Sequence, residues 1–272
     1  MTFHEKLAMV RSALYLPASN ARAITKAQNL DCDLAILDLE DAVKDEDKAM
    51  ARDAAIAALI EAWKAELVAV RINGVGTPHH SADIDVLGPV APALVVLPKV
   101  EEPSEAEQVA KAVGAPVLAM IETPKGVYAA REIAAAEGVV GIIMGTNDLA
   151  AALRLPPDAG RAGLILCLQA AVLAVRATGK VIFDGVYNRL DDEEGFKAEC
   201  REGRALGFDG KTLIHPSQIR PCNQLFGPSE AEIEDAIALI EAASGGAERF
   251  RGRMVEAMHV TTARRLLSRA RR

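Results

Sequence analysis

The chain has 272 residues, of which 50% are hydrophobic and 25% charged, the balance of an ordinary globular enzyme. That length suits one large α/β barrel or two small domains. A formal net charge of −7 argues against a nucleic-acid surface. No apolar run of about 18 residues offers a membrane span, and the stretch from Met1 to Lys6 lacks a signal-peptide layout, so a cytoplasmic protein is expected. Cys32, Cys167, Cys200 and Cys222 show no paired metal spacing and read as reduced, mostly structural thiols.

Short apolar runs alternate with helical segments. Strands are expected at residues 12–16, 34–39, 67–72 and 94–99, in runs ending at Glu122 and near Gly145, and at 180–184 and 211–214. A helical stretch ends at Lys26, and helices are expected at 45–62, 104–113, 159–178 and 191–206. Continuous apolar runs between helices suit parallel strands buried on both faces. Eight strands in about 225 residues match a (β/α)8 TIM barrel better than an open doubly wound sheet. No Gly-x-Gly-x-x-Gly follows the first strand, which counts against a dinucleotide fold. The barrel is expected to occupy residues 1–226, with extra C-terminal helices in 227–272.

Within that extension, Ser229 and Glu232 form a capping box that opens a helix through Ala243. Residues 244–247 read as a flexible break, and the segment 251–256 leads into a last helix. Arg264, Arg265, Arg269, Arg271 and Arg272 read as the solvated face of that helix. A tail after a finished barrel is a surface decoration or an arm laid on a neighbouring subunit, and the arm is the preferred reading.

In such a barrel, chemistry gathers at the carboxyl ends of the strands. Those ends carry Ser19 and Asn20; Asp38, Glu40 and Asp41; Arg71 and Asn73; Lys99; Glu122; Asp148; Asp184; and His215. Glu122 and Asp148 follow successive strands, so their carboxylates can converge on a hard divalent cation such as Mg2+. Either could instead cap the helix after it. Asp38 and Asp41 are caps or supporting acids, and Asp184 and His215 could be satisfied by loop backbone. Lys99 pairs with an acid or, in an apolar pocket, serves as a Schiff-base amine. Arg71 ends a buried strand and needs an acid or an anionic ligand as partner. A cation that polarises a hydroxy or keto acid, with an arginine facing a developing enolate, suits carbon–carbon cleavage or formation beside a carbonyl.

From Arg11 to about Leu266 the chain resembles the citrate lyase β-subunit-like proteins of the HpcH/HpaI aldolase superfamily, a group that includes malyl-CoA and citramalyl-CoA lyases and a malyl-CoA thioesterase. The landmarks are Arg11 through Pro17, Leu37 through Val43, Val70 through Asn73, Leu97-Pro98-Lys99, Ile121-Glu122-Thr123, Gly145 through Leu149, Asp184 through Tyr187 and Ile214 through Ile219. The resemblance implies a Mg2+-dependent barrel (Mn2+ as a substitute) with Glu122 and Asp148 as metal ligands. Arg71 then faces the substrate, and Asp38, Glu40 and Asp41 support the site or hold water. Ser19, Asn20 and Lys26 become candidates for gripping CoA. It further implies a homotrimer or hexamer in which Glu256, in Met254-Val255-Glu256, reaches a neighbour's site as acid or base. Two departures stand out: Asn147 precedes Asp148 where many relatives have Glu, and Glu256 replaces the usual Asp. The expected activity is cleavage or condensation of a carboxylated 3-hydroxyacyl-CoA, such as malyl-CoA or citramalyl-CoA. A thioesterase on the same substrates, an aldolase on free hydroxy-keto acids and a non-autonomous citrate-lyase-like subunit remain alternatives.

Overall fold

The computed structural model describes residues 1–243 and 246–270. Eight parallel strands close into a barrel in chain order: β1 Ser12–Pro17, β2 Leu34–Asp38, β3 Leu67–Arg71, β4 Val95–Leu97, β5 Val117–Ile121, β6 Val139–Met144, β7 Val181–Asp184 and β8 Gly210–Leu213. β8 pairs back onto β1, with Ala13 opposite Thr212. The TIM barrel is therefore the fold, with further helices beyond it.

The strands are buried along nearly their whole length because each covers two cores. One alternate set faces the barrel axis and includes Ala13, Ile36, Ala69, Val96, Met120, Ile143 and Phe183. The other set, including Leu14, Leu37, Val70, Leu97, Ile121 and Ile142, packs outward against the helices. Side chains alternate with period two along a strand. One step of two beyond the axial residues Ala13, Ile36, Ala69 and Met120 therefore brings Tyr15, Asp38, Arg71 and Glu122 inward at the carboxyl end. At Gly141, beside a register shift between β5 and β6, a Cβ would collide with Val181 of β7. Only glycine permits that approach of the two strands.

Several boundaries differ from the expectations. The 45–62 helix divides into a 3-10 turn, Asp45–Asp47, and an α-helix, Lys48–Leu59. The 159–178 helix begins only at Ile165, after a 3-10 turn at Ala162–Leu164. Gly160 has φ +58 and so cannot continue a right-handed helix, and Gly179, at φ +71, follows its end. A helix at His80–Leu87 links β3 to β4. An unanticipated N-terminal helix, Phe3–Ala8, carries a Thr2–Glu5 capping box. It sends Leu7 and Phe3 into the axial core, closing the barrel at its amino end.

Beyond the barrel, the capping box at Ser229 and Glu232 opens the helix Glu230–Ala242 as expected. Ser244 and Gly245 of the expected break lie outside the described residues. The 251–256 segment contributes to a two-stranded hairpin, Glu248–Phe250 with Arg253–Val255, and the helix Ala257–Ala270 follows. Ala236, Leu239, Val255 and Ala263 form a small apolar core of their own. The basic face of the last helix is not wholly solvated. Arg265 donates to the Asp209 carboxylate at 3.3 Å, and Arg269 donates to the Asp209 carbonyl at 2.6 Å. Asp209 sits at the amino end of β8 and is buried, so its charge draws these arginines in. Arg271 and Arg272 lie outside the described residues.

Candidate active site

At the carboxyl end of the barrel, Arg71 is held from three sides. Its Nε and Nη2 donate to the two oxygens of Asp38 at 2.7 and 2.6 Å. Its Nη1 lies 2.8 Å from Glu40 Oε2, and its guanidinium carbon lies 4.8 Å from the centre of the Tyr15 ring. The pairing is local in origin, since Asp38 and Arg71 are register partners on β2 and β3. Burial alone would lower the basicity of Arg71, but the charge and hydrogen bonds of Asp38 outweigh it and hold the guanidinium above its ordinary value. Asp38 also accepts from the backbone N–H of Glu40 and of Ala42, at 2.9 and 3.2 Å, which fixes the turn carrying Glu40 and Asp41.

Glu122, at the end of β5, accepts from the Lys99 backbone N–H at 2.7 Å. Lys99 adopts φ +54, a left-handed conformation uncommon for a lysine. Its ammonium lies 2.8 Å from Glu40 and 3.4 Å from Asp148. Burial would lower its basicity, but the Glu40 bond and the surrounding acids raise it above its ordinary value. Lys99 is thus an acid's partner and lacks the apolar pocket a Schiff-base lysine needs. Burial first, then the charge of Glu40, pushes the Glu122 carboxyl up to about 7. Gly145 is required beside it, since a Cβ there would occupy the space of the Glu122 carboxylate.

Neither acid is a helix cap. Thr123 caps the helix after Glu122, and Asp148 lies inside the first turn of the helix Thr146–Ala152. Tyr15, Asp38, Asp41, Arg71, Glu122 and Asp148 line one cavity of about 320 Å³, with Met120, Met144, Asn147 and Ile214 among its other walls.

Among the described residues no group of three or more His, Cys, Asp or Glu is set to hold a metal. Glu122 and Asp148 nonetheless fit a hard cation. Mg2+ characteristically takes one or two carboxylates and fills its remaining positions with water or ligand oxygen. The Gly145 cradle leaves one Glu122 oxygen free of a side-chain neighbour at that residue, while Lys99 engages the other.

The comparisons agree on ancestry. Residues 11–216 match the family model described as HpcH/HpaI aldolase/citrate lyase. The chain belongs to the HpcH/HpaI aldolase/citrate lyase family. It is 45% identical over 273 residues to a (3S)-malyl-CoA thioesterase of Cereibacter sphaeroides, covering 96% of this chain and 94% of the relative. It is 38% identical over 277 residues to a citrate lyase subunit beta-like protein of Deinococcus radiodurans, covering 96% and 97%. Among solved structures, protein CitE of Mycobacterium tuberculosis in complex with magnesium, acetoacetate and coenzyme A superposes with a TM-score of 0.85. That match has 33% identity and covers 97% of this chain and 99% of the other.

Other strand-end residues of this family member have structural partners. Asp184 is fully buried and accepts two bonds from Arg161, both at 2.9 Å, and one from Lys211 at 3.1 Å. His215 engages Ser217 through Nδ1 at 2.8 Å. Asn20 caps the helix Ala21–Ala27 by accepting from the Ala23 N–H at 3.0 Å. Ser19 is half-buried beside it and Lys26 is exposed. None of these three lines the cavity. Glu256 is exposed, and its backbone N–H donates to His259 Nδ1 at 2.9 Å. It does not line the cavity of its own chain either.

Two organisers went unnoticed in the sequence. Lys48 is buried, and its ammonium donates to the Leu39 carbonyl at 2.7 Å, and to the Glu40 carbonyl and Asn73 Oδ1 at 2.8 Å each. Three acceptors satisfy an ammonium fully, so Lys48 pins the loop that presents Glu40. Its signal was legible, because Lys48 falls on the same buried stripe as Ala51, Ala55 and Ala58. Arg161 lies in an irregular segment with no periodicity to betray it. It ties that segment to Asp184, Glu199 and Glu202.

Proposed function

We propose that this chain is a Mg2+-dependent enzyme acting on a carboxylated 3-hydroxyacyl-CoA of the malyl-CoA type, and that thioester hydrolysis is its main reaction. The observation that carries the substrate class is that Arg71, Glu122 and Asp148 line one small cavity. Its volume of about 320 Å³ suits a short dicarboxylic acyl group and leaves the bulk of a CoA carrier outside. The sequence placed carbon–carbon cleavage first. The 45% identity with thioesterases over nearly the full length moves hydrolysis ahead. Cleavage to an acyl-CoA and a 2-keto acid is the second reading, supported by the likeness to a CitE complex holding acetoacetate and coenzyme A.

In this reading Glu122 and Asp148 would hold a Mg2+ ion, which would supply Lewis acidity toward the bound acid. Arg71, fixed by Asp38 and Glu40, directs its remaining N–H groups at the carbonyl oxygen where charge develops. Because it is already clamped, it loses little freedom when the substrate arrives. Lys99 holds Glu122 through its backbone and Glu40 through its ammonium, and Asp41 at the rim orders water. In hydrolysis the oxygen of water bonds to the thioester carbon, the carbon–sulfur bond breaks, and the water proton leaves to a base and ends on the thiolate. We assign that base to Glu256 of a neighbouring copy in a trimer or hexamer, and the outer CoA grip to Ser19, Asn20 and Lys26. The support for both is the family motif order.

The test is product analysis of the purified chain with malyl-CoA and Mg2+. Free CoA plus malate is the expected result. Acetyl-CoA plus glyoxylate would establish cleavage instead, and no turnover of either kind, with activity appearing only after partner proteins are added, would point to a non-autonomous subunit.

A further inference from the structure

The inward residue of β1 at the mouth, Tyr15, has a hydroxyl without a strong partner. It lies 3.4 Å from the Met120 sulfur, and a thioether is a weak acceptor. Its polar neighbours in the same layer are better matched. Asp38 is closed by Arg71 and two backbone N–H groups. Thr212 donates to the Asp184 carbonyl at 2.9 Å. Asn147 and Asn188 bond to each other, at 2.7 Å in the shorter direction. Of the five N–H donors of an arginine, Arg71 gives one on Nε and one on Nη2 to Asp38, while Nη1 meets Glu40 as an ion pair at 2.8 Å. N–H groups on both Nη atoms are left for a ligand. The Tyr15 ring lies against that same guanidinium, and Tyr15 lines the cavity.

We propose that Tyr15 is a substrate-contacting residue, its phenolic hydrogen donated to an oxygen of the bound oxo or hydroxy acid beside the free Arg71 N–H groups. The proposal rests on the function proposed above and extends its binding set to a side chain from β1. The physical reason is competition between acceptors. A carboxylate or carbonyl oxygen is a far better acceptor than a thioether, so a ligand oxygen takes the hydroxyl from Met120 without breaking a strong bond. Burial, opposed by Arg71 and reinforced by Asp38, Glu122 and Glu40, keeps the phenol above its ordinary value. The group is therefore a donor at neutral pH. The stacked arginine meanwhile fixes the ring, so little rotational freedom is lost on contact.

The test uses the full chain with Mg2+, pyruvate as a binding probe and malyl-CoA as substrate. Tyr15→Phe removes only the hydroxyl and keeps the ring under Arg71. Its melting temperature should stay at the wild-type value, while pyruvate affinity and kcat/KM both fall roughly tenfold, the scale of one hydrogen bond to a charged group. A second measurement retains the hydroxyl. With 3-fluorotyrosine at position 15, the fluorine resonance should shift on adding pyruvate with Mg2+ and not with Mg2+ alone. Wild-type affinity and kinetics in Tyr15→Phe, or a resonance indifferent to pyruvate, would overturn the assignment of Tyr15 alone. A wild-type chain that neither binds pyruvate nor turns over malyl-CoA would overturn the functional reading and Tyr15 with it.

Discussion

Arg71 shows why residue identity matters more than charge in this site. Its planar fork spans both Asp38 oxygens while a third edge meets Glu40, and a lysine point charge cannot do both. Arg71→Lys should therefore fold yet lose roughly a hundredfold in kcat/KM, about 3 kcal/mol of transition-state stabilisation. Near-wild-type kinetics would remove Arg71 from the mechanism. Glu122 makes a different prediction. Its folded value of about 7 lies above the ordinary 4.5, so the metal-free folded state binds its proton more tightly than the unfolded chain does. The stability this contributes is complete below the ordinary value and is lost as pH rises through about 7. Without Mg2+, the melting temperature should drop more between about pH 5.5 and about pH 8 in wild type than in Glu122→Gln. Equal drops would show that this carboxyl does not feel the burial inferred for it.

At the scale of elements, the short N-terminal helix and the Lys48 helix carry functions that their lengths do not advertise. Phe3–Ala8 plugs the barrel with a fully buried Leu7. Leu7→Ala should cost about 3 kcal/mol, the range for a large-to-small change in a core that cannot collapse, read as a lower denaturant midpoint. A change below about 0.5 kcal/mol, the scale of surface substitutions, would mean the helix is only loosely seated. The Lys48–Leu59 helix points its one buried cation back at the loop after β2. Lys48→Met removes the donor and leaves the Asn73 amide oxygen without one, while the Leu39 and Glu40 carbonyls each fall back on a single bond, from the Asn73 side chain and the Val43 N–H. A loss of about 2 kcal/mol is expected, along with weaker activity because Glu40 is released. A stable variant with full activity would show that the loop is held by its other bonds.

For the whole molecule, the question is whether one chain builds a complete site. Glu256 and the exposed Met254 and Met258 lie in the hairpin and helix that follow the barrel. The last helix is moored to Asp209 at the amino end of β8, opposite the strand ends that carry the cavity. An assembly in which one chain's Glu256 serves another's cavity makes a distinct prediction. Mixed oligomers of Glu256→Ala and Arg71→Ala subunits should regain part of the activity that each lacks alone, because some interfaces recover both groups. Stable mixed oligomers without rescue would argue that each site is built within one chain.

The sequence by itself determined the barrel and the identity of its rim. Buried parallel strands require continuous apolar runs, and strand periodicity delivers Asp38, Arg71 and Glu122 to the axis once the strand ends are known. Those are local constraints, written within a few residues of each position. What the tertiary structure decided is how the rim charges pair. Arg71 is clamped by Asp38, Lys99 bridges Glu40 and Asp148, and Asp184 is consumed by Arg161 and Lys211. It also decided that Arg269 packs in against Asp209, and that Arg265 reaches the same acid while staying exposed. Such pairings depend on distances between segments far apart in the chain, and a buried charge takes whichever opposite charge the packing brings within reach. No periodicity along the sequence encodes that choice.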